Sequence, residues 1–252
     1  LTINIISSDL PGNELDSSER YARSREVIEI LKQAWNQDRI EFNGKYYKLS
    51  LPTDPVKTYQ QNGGPLLYFG GYSPAGVDLC AEHCDVYLMW PETEEKLQGL
   101  MNTMTLKASD YGRTVQFGLR VHVIVRETEK EARDYANNLL SKLDLDHGLN
   151  IKNRAQDSNS LGVARQSQMR NEADNEHYVE PHLWTGIGLA RSGCGAALVG
   201  TPDQILNKLK RYMQMGIRSF ILSGYPHQQE CELFAKHVLP QLKTISLPEV
   251  FN

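Results

Sequence analysis

Arg120 and His122 stand two apart in the apolar run Phe117-Gly-Leu-Arg-Val-His122, Arg191 opens the glycine-rich stretch Arg191-Ser-Gly-Cys-Gly195, and Tyr225 and His227 close Phe220-Ile-Leu-Ser-Gly-Tyr-Pro-His227. Side chains two apart on a strand share a face, so Arg120 and His122 enter the interior together or leave it together, and Tyr225 and His227 obey the same rule. Two polar groups turned inward at the mouth of a barrel are costly unless they have work to do. The rigid guanidinium fork donates two parallel hydrogen bonds and suits a three-oxygen anion such as a sulfonate. Two arginines aimed into one pocket repel each other unless an anion lies between them, so Arg120 with Arg191 points to an anionic ligand. His122 and His227 are then candidates for proton transfer or hydrogen-bond support, and Tyr225 for donation to an oxygen. A second kind of chemistry is written in Gly70-Gly71-Tyr72-Ser73-Pro74, which follows the apolar run Leu66-Leu-Tyr-Phe69. A strand that ends in glycines and opens into a helix offers free backbone N–H groups and a positive helix end to a phosphate, with the Ser73 hydroxyl as a further donor. Glycines at such a turn also serve merely to relieve crowding at a sheet edge.

These residues need strands and helices to hold them. Apolar strand-like runs stand at 2–6, 66–69, 85–90, 119–125 and 219–222, and helical periodicity at 17–35, 74–83, 94–111, 127–143, 202–215 and 229–242. Strand–helix alternation predicts a parallel sheet in an α/β fold with five strand–helix units. Between the first two units, Ile40-Glu-Phe-Asn-Gly-Lys-Tyr-Tyr-Lys48 predicts a β-hairpin insertion near 38–48, with Asn43-Gly44 in a tight type I′ turn. The stretch near 147–182, rich in Asn, Gln, Arg, Ser and Asp, predicts a long polar insertion, either a lid with little order of its own or a solvated surface excursion.

With 252 residues, 40% hydrophobic content and a net charge of −4, the chain can bury a substantial core. No basic stripe marks it for nucleic acid or an anionic membrane surface. No apolar run approaches the roughly 20 residues of a membrane span, and no signal-peptide pattern opens the sequence, so a cytoplasmic location is expected. Cys80, Cys84, Cys194 and Cys231 are too scattered for a disulfide framework. Cys80, His83 and Cys84 share a helical patch, but no second ligand pair lies near them, and no metal site is expected.

Taken together, the three stretches resemble the flavin-dependent alkanesulfonate monooxygenases of the bacterial luciferase-like superfamily. The match lies in an Arg and a His two apart on the seventh strand (Arg120, His122), a loop arginine ahead of a glycine-rich turn (Arg191), and the Ser-Gly-Tyr-Pro-His ending of the eighth strand (Ser223 to His227). The resemblance implies a TIM (β/α)8 barrel of which this chain, residues 1–252 as a single domain, carries strands 4–8 and lacks the first three β/α units. It implies that Arg120, His122, Arg191 and Tyr225 bind the sulfonate and the flavin peroxide, that Trp90 walls the pocket, and that the flavin phosphate meets Gly70, Gly71, Tyr72 and Ser73 together with Tyr21. The activity it implies uses reduced FMN, delivered by a separate NAD(P)H-dependent FMN reductase, and O₂ to convert an alkanesulfonate to an aldehyde and sulfite. A homo-oligomer, dimer or tetramer, is implied as well. Oxidation of another small organosulfur compound, methanesulfonate or a dialkyl sulfone, and a non-catalytic flavin-binding remnant are the alternatives.

Overall fold

A computed structural model describes residues 1–7, 15–55, 57–60, 63–154, 160–189 and 193–245. They group into two compact units, Leu1–Leu88 with Asn102–Gln116, and Met89–Met101 with Phe117–Asn252.

The first unit contains β1 (Thr2–Ile5), α1 (Ser17–Asn36), β2 (Arg39–Asn43), β3 (Lys48–Pro52), β4 (Leu66–Phe69), α2 (Pro74–His83) and all but the last residue of β5 (Val86–Met89). α3 (Glu94–Asp110) divides its residues between the two units. β1 runs parallel to β4 with Thr2 opposite Leu66, and β4 runs parallel to β5 with Tyr68 opposite Val86. β5 is buried throughout and β4 almost so, as expected of parallel strands covered on both faces. α2 begins where the sequence predicts, because Ser73 caps it by accepting from the Gly76 N–H at 3.2 Å and Pro74 fills the first helical position, where no N–H is needed.

The hairpin is present, with two corrections. Its strands are β2 and β3, antiparallel with Asn43 opposite Lys48, so it extends to Pro52. Its turn is not type I′: Gly44 is not among the positive-φ residues, and four residues, 44 to 47, form a loop closed by the Gly44 N–H on the Tyr47 carbonyl at 2.9 Å. The physical reason is Glu26 on α1, whose carboxylate accepts from the backbone N–H groups of Lys45, Tyr46 and Tyr47 at 2.7 to 3.0 Å. An anion that satisfies three amides sets the loop more strongly than the local Asn-Gly preference.

The second unit contains β6 (Gln116–Val125, all but its first residue), α4 (Glu129–Leu140), α5 (Leu145–Arg154), α6 (Leu161–Asn171), β7 (Tyr178–Glu180), β8 (Leu183–Trp184), β9 (Ala197–Gly200), α7 (Pro202–Met215), β10 (Ile217–Ser223) and α8 (His227–His237). β6 is a shared partner. β10 pairs in parallel along residues 117–122 and β9 along residues 122–125, while β8 lies antiparallel to β9 and β7 antiparallel to β8. β9 followed by α7 is a strand–helix unit beyond the five expected. Its Ala-Leu-Val-Gly sequence has a small residue at each end and continues the glycine-rich stretch before it, so no bulky apolar run sets it apart from a loop. α7 starts as predicted, on a Thr201/Gln204 capping box with Pro202 at the first position, and ends on Gly216 at φ 110°.

The polar stretch at 147–182 differs from expectation. Its described residues form most of α5, all of α6 and β7, and α6 is anchored by Val163, Gln166 and Met169, which are 4%, 3% and 0% exposed. One of the three anchors is a glutamine, so a hydrophobic count sees too few of them. No helix among the described residues is long and apolar enough to cross a membrane.

Candidate active site

In the second unit, β6 and β10 bring together most of the polar residues singled out in the sequence. His122 sits where the sheet forks, in register with Ser223 on β10 and with Ala197 on β9. It is 1% exposed, and its Nδ1 lies 2.8 Å from the Ser223 hydroxyl, so a buried imidazole is oriented by the strand residue directly across from it. The Tyr225 ring packs 5.4 Å from the His122 ring and 4.8 Å from that of His227, the exposed first residue of α8. The predicted His122, Tyr225 and His227 therefore form one continuous row of ring contacts, tilted at the first and edge-on at the second.

Arg120 lies two residues before His122 and is half-buried. Its Nε is buried with no hydrogen-bond partner among the described residues. A buried charged donor without a partner costs free energy on the order of 1–3 kcal/mol or more, so such groups are rare and tend to mark places completed by a ligand.

The turn that carries Tyr225 is held from behind. The Tyr135 hydroxyl on α4 donates to the Tyr225 carbonyl at 3.0 Å. Arg126, just past β6, makes a two-pronged pair with Glu230 on α8 at 2.6 and 3.1 Å and lies 3.7 Å over the Tyr135 ring. Gly224 is required here, because a Cβ would come within 2.4 Å of the Glu230 Cβ and 3.0 Å of the Val123 carbonyl.

Trp90 stands immediately beyond β5, half-buried, at the start of the segment Trp90-Pro91-Glu92. Glu92 is 1% exposed and receives the Arg165 Nε–H at 2.9 Å; burial raises its pKa against the pull of Arg165 and Lys96. Arg191 lies outside the described residues. The turn that follows it is described: Gly193 has φ 84°, and the fully buried Cys194 donates its S–H to the Arg120 carbonyl at 3.3 Å.

The predicted phosphate cradle lies in the first unit. A Cβ on Gly76 would sit 3.0 Å from the Tyr21 hydroxyl and 3.2 Å from Ser73 Oγ, so both hydroxyls close around the first turn of α2 and glycine leaves the space open. Ser73 Oγ accepts from Gly76 and keeps its own O–H to donate. Gly70 carries no Cβ because the Leu88 carbonyl would be 2.8 Å from it, and the Gly71 carbonyl accepts from the Tyr87 hydroxyl at 2.9 Å, which fixes the turn. Tyr72 packs its ring against Tyr87 at 6.4 Å. Two hydroxyl donors at a helix N-terminus beside an open glycine fit a phosphate monoester such as that of FMN.

Sequence reading gave no role to Ser223, although it lies inside the Ser-Gly-Tyr-Pro-His motif, and it missed Tyr135 and Gln166. Register supplies Ser223 once β6 and β10 are paired. Tyr135 and Gln166 bond backbone atoms far away in sequence and leave no local pattern.

The family model of the luciferase-like monooxygenases matches residues 7–219. The chain is 58% identical over its whole length to a sulfoquinovose monooxygenase of Agrobacterium fabrum, covering 66% of that protein. It is 51% identical over 96% of its length to a sulfoquinovose monooxygenase of Novosphingobium aromaticivorans, covering 67% of it. It thus spans about two thirds of the length of these curated relatives. Among solved structures, DmoA from Hyphomicrobium sulfonivorans superposes with a TM-score of 0.72 at 17% identity, over 95% of this chain and 60% of that one. The long-chain alkane monooxygenase LadA gives 0.70 at 19% identity, over 92% and 58%. These likenesses share the α/β luciferase-like fold, and with most of its length matched by the family model the chain belongs to the luciferase-like monooxygenase family.

Proposed function

We propose that the protein belongs to a two-component monooxygenase that uses reduced FMN and O₂ to break the carbon–sulfur bond of an organosulfonate, with the sulfonated sugar sulfoquinovose as its substrate. The observation that carries the reading is Arg120, a half-buried arginine whose buried Nε has no partner among the described residues, two residues from a buried histidine on the same strand face. The names of the two curated relatives narrow the anion from alkanesulfonates in general to sulfoquinovose. In the balanced reaction the carbon that carried sulfur leaves as an aldehyde, sulfur leaves as sulfite, and the second oxygen atom leaves as water.

When bound, reduced FMN supplies the two electrons that activate O₂. Arg120 holds the sulfonate, with Arg191 as the second cation. Tyr225 donates to a substrate or oxygen atom. His122, oriented by Ser223, accepts or returns a proton, and the exposed His227 passes it to solvent. Tyr21, Ser73 and the Gly70-Gly71 turn hold the flavin phosphate. A separate NAD(P)H-dependent reductase and a homo-oligomeric assembly complete the proposal.

The test is sulfite release by the full-length protein supplied with FMN, a flavin reductase, NADPH and sulfoquinovose. Arg120→Ala is expected to lower kcat/KM by at least about a hundredfold, roughly 2.7 kcal/mol, with Arg120→Lys between it and wild type because charge survives without the fork. Wild-type turnover by Arg120→Ala would remove the anion pocket from the mechanism. Preference for a linear alkanesulfonate over sulfoquinovose would return the substrate to the broader class.

A further inference from the structure

α6 carries a glutamine that joins two loops of the second unit. Gln166 is 3% exposed and both ends of its amide are engaged: Nε2 donates to the Pro91 carbonyl at 2.7 Å, and Oε1 accepts from the Gly195 N–H at 3.0 Å. Pro91 directly follows Trp90. Gly195 directly follows Cys194, whose S–H is bonded to the Arg120 carbonyl. One side chain therefore connects the Trp90 segment to the turn that rests on the strand of Arg120 and His122. The fit is close: a Cβ on Gly195 would stand 3.2 Å from Gln166 Oε1, and a Cβ on Gly188 would stand 2.9 Å from the Gly195 carbonyl. The neighbouring Arg165, on the same helix, holds Glu92 in the same segment from a second point.

The chemistry of the amide suits this task. A carboxylate could accept from Gly195 but would face the Pro91 carbonyl with a lone pair, and a hydroxyl on a shorter side chain would not span both atoms. An apolar side chain of the same length would leave a buried N–H and a buried C=O without partners.

We propose that Gln166 is a positioning residue that sets the Trp90 segment and the Gly193–Gly195 turn in register, and so shapes the end of the pocket that closes on the organic part of the sulfonate. The inference rests on the proposed desulfonation as the use of that pocket. Gln166 acts through the two backbone groups it holds.

The experiment compares Gln166→Met, which keeps the volume and loses both bonds, and Gln166→Glu, which keeps the acceptor alone, with wild type in the full-length protein. Steady-state sulfite release from sulfoquinovose, FMN binding by fluorescence quenching, and amide exchange are read side by side. The positioning role is expected to lower kcat/KM for sulfoquinovose about tenfold or more in Gln166→Met, mainly through KM, with a loss at least as large in Gln166→Glu, whose buried carboxylate meets the Pro91 carbonyl, and with FMN affinity within about twofold of wild type in Gln166→Met. Amide exchange should rise together in peptides covering 91–97 and 193–197. Unchanged sulfonate kinetics in Gln166→Met would overturn the proposal, and so would equal losses of FMN and sulfonate binding, the mark of a general loss of structure. If wild type releases no sulfite from any sulfonate, the desulfonation reading fails on its own, while paired exchange in the two segments still reports whether Gln166 couples them and unpaired exchange overturns it.

Discussion

Two buried histidines show how differently this chain treats polar groups. His83, at the end of α2, is surrounded by charges: Arg25 lies 3.2 Å from its Nε2, the carboxylates of Glu29 and Glu82 at 3.7 and 3.6 Å, and the Lys32 ammonium bonds its carbonyl at 2.8 Å. Around it Arg25 also pairs with Asp78 and Glu82, and Arg113 with Asp85, so the cations have anions to answer them. His122 has a hydroxyl for its partner and, two residues away, an arginine whose buried Nε has none among the described residues. A saturated network is what a fold needs to bury polar atoms safely. An incomplete one is stable only because surrounding structure tolerates it, and such incompleteness collects where ligands bind. The same side chain is a structural fixture in one setting and a candidate reactive group in the other, and the difference lies in its neighbours.

The largest effect expected outside activity tests the saturated kind of pairing beneath Tyr225. Glu230 and Arg126 are both nearly buried, with side chains 3% and 14% exposed. Glu230→Ala should destabilise the protein by about 3–5 kcal/mol, since it strands a buried guanidinium, as read by denaturant unfolding. A loss under about 1 kcal/mol would mean that the pair is no more than a surface contact.

Ser223→Ala sharpens the comparison at the incomplete site. Removing the hydroxyl takes away one hydrogen bond, worth about 0.5–1.5 kcal/mol to stability. It should also lower kcat, by about tenfold, if the orientation of His122 matters to turnover. A change in stability alone would place His122 with His83, among the fixtures.

A further effect appears only on acidification. Burial, followed by the charges of Lys32, Arg25 and Arg113, lowers the His83 pKa from 6.5 to about 4, against the opposite pull of Asp78. The unfolded chain therefore binds a proton more readily than the folded one between these values. Stability contributed by the neutral ring is present above pH 6.5 and is lost as pH falls toward 4. His83→Asn should flatten that part of the stability–pH curve relative to wild type in urea unfolding at several pH values. An unchanged slope would show that His83 carries no such linkage.

What the sequence made legible follows from where its signals are local. α2 and α7 begin with a capping hydroxyl followed by proline, so both starts are readable residue by residue. Arg120 and His122 were readable because strand spacing of two fixes a common face, whereas that rule does not apply to Tyr225 and His227, which lie past the end of β10 and at the first position of α8 and were marked only by the Ser-Gly-Tyr-Pro-His ending. The hairpin turn was misread because Glu26, from another element, imposes the loop. β9 escaped because its Ala-Leu-Val-Gly sequence merges with the glycine-rich stretch before it, and Gln166 escaped because its partners, Pro91 and Gly195, lie 75 and 29 residues away.

The forked pairing of β6 also bears on the time course of folding. His122 and Ser223 are 101 residues apart in the chain, and Tyr135 reaches Tyr225 across 90. Closing loops of that length costs entropy before any contact rewards it, whereas the α2 cap and the β2–β3 hairpin close over a few residues. The candidate site is thus among the last parts of the second unit to assemble. A chain emerging from the ribosome can form its local helices and hairpin early, but cannot join His122 to Ser223 until nearly all of the described sequence has been made.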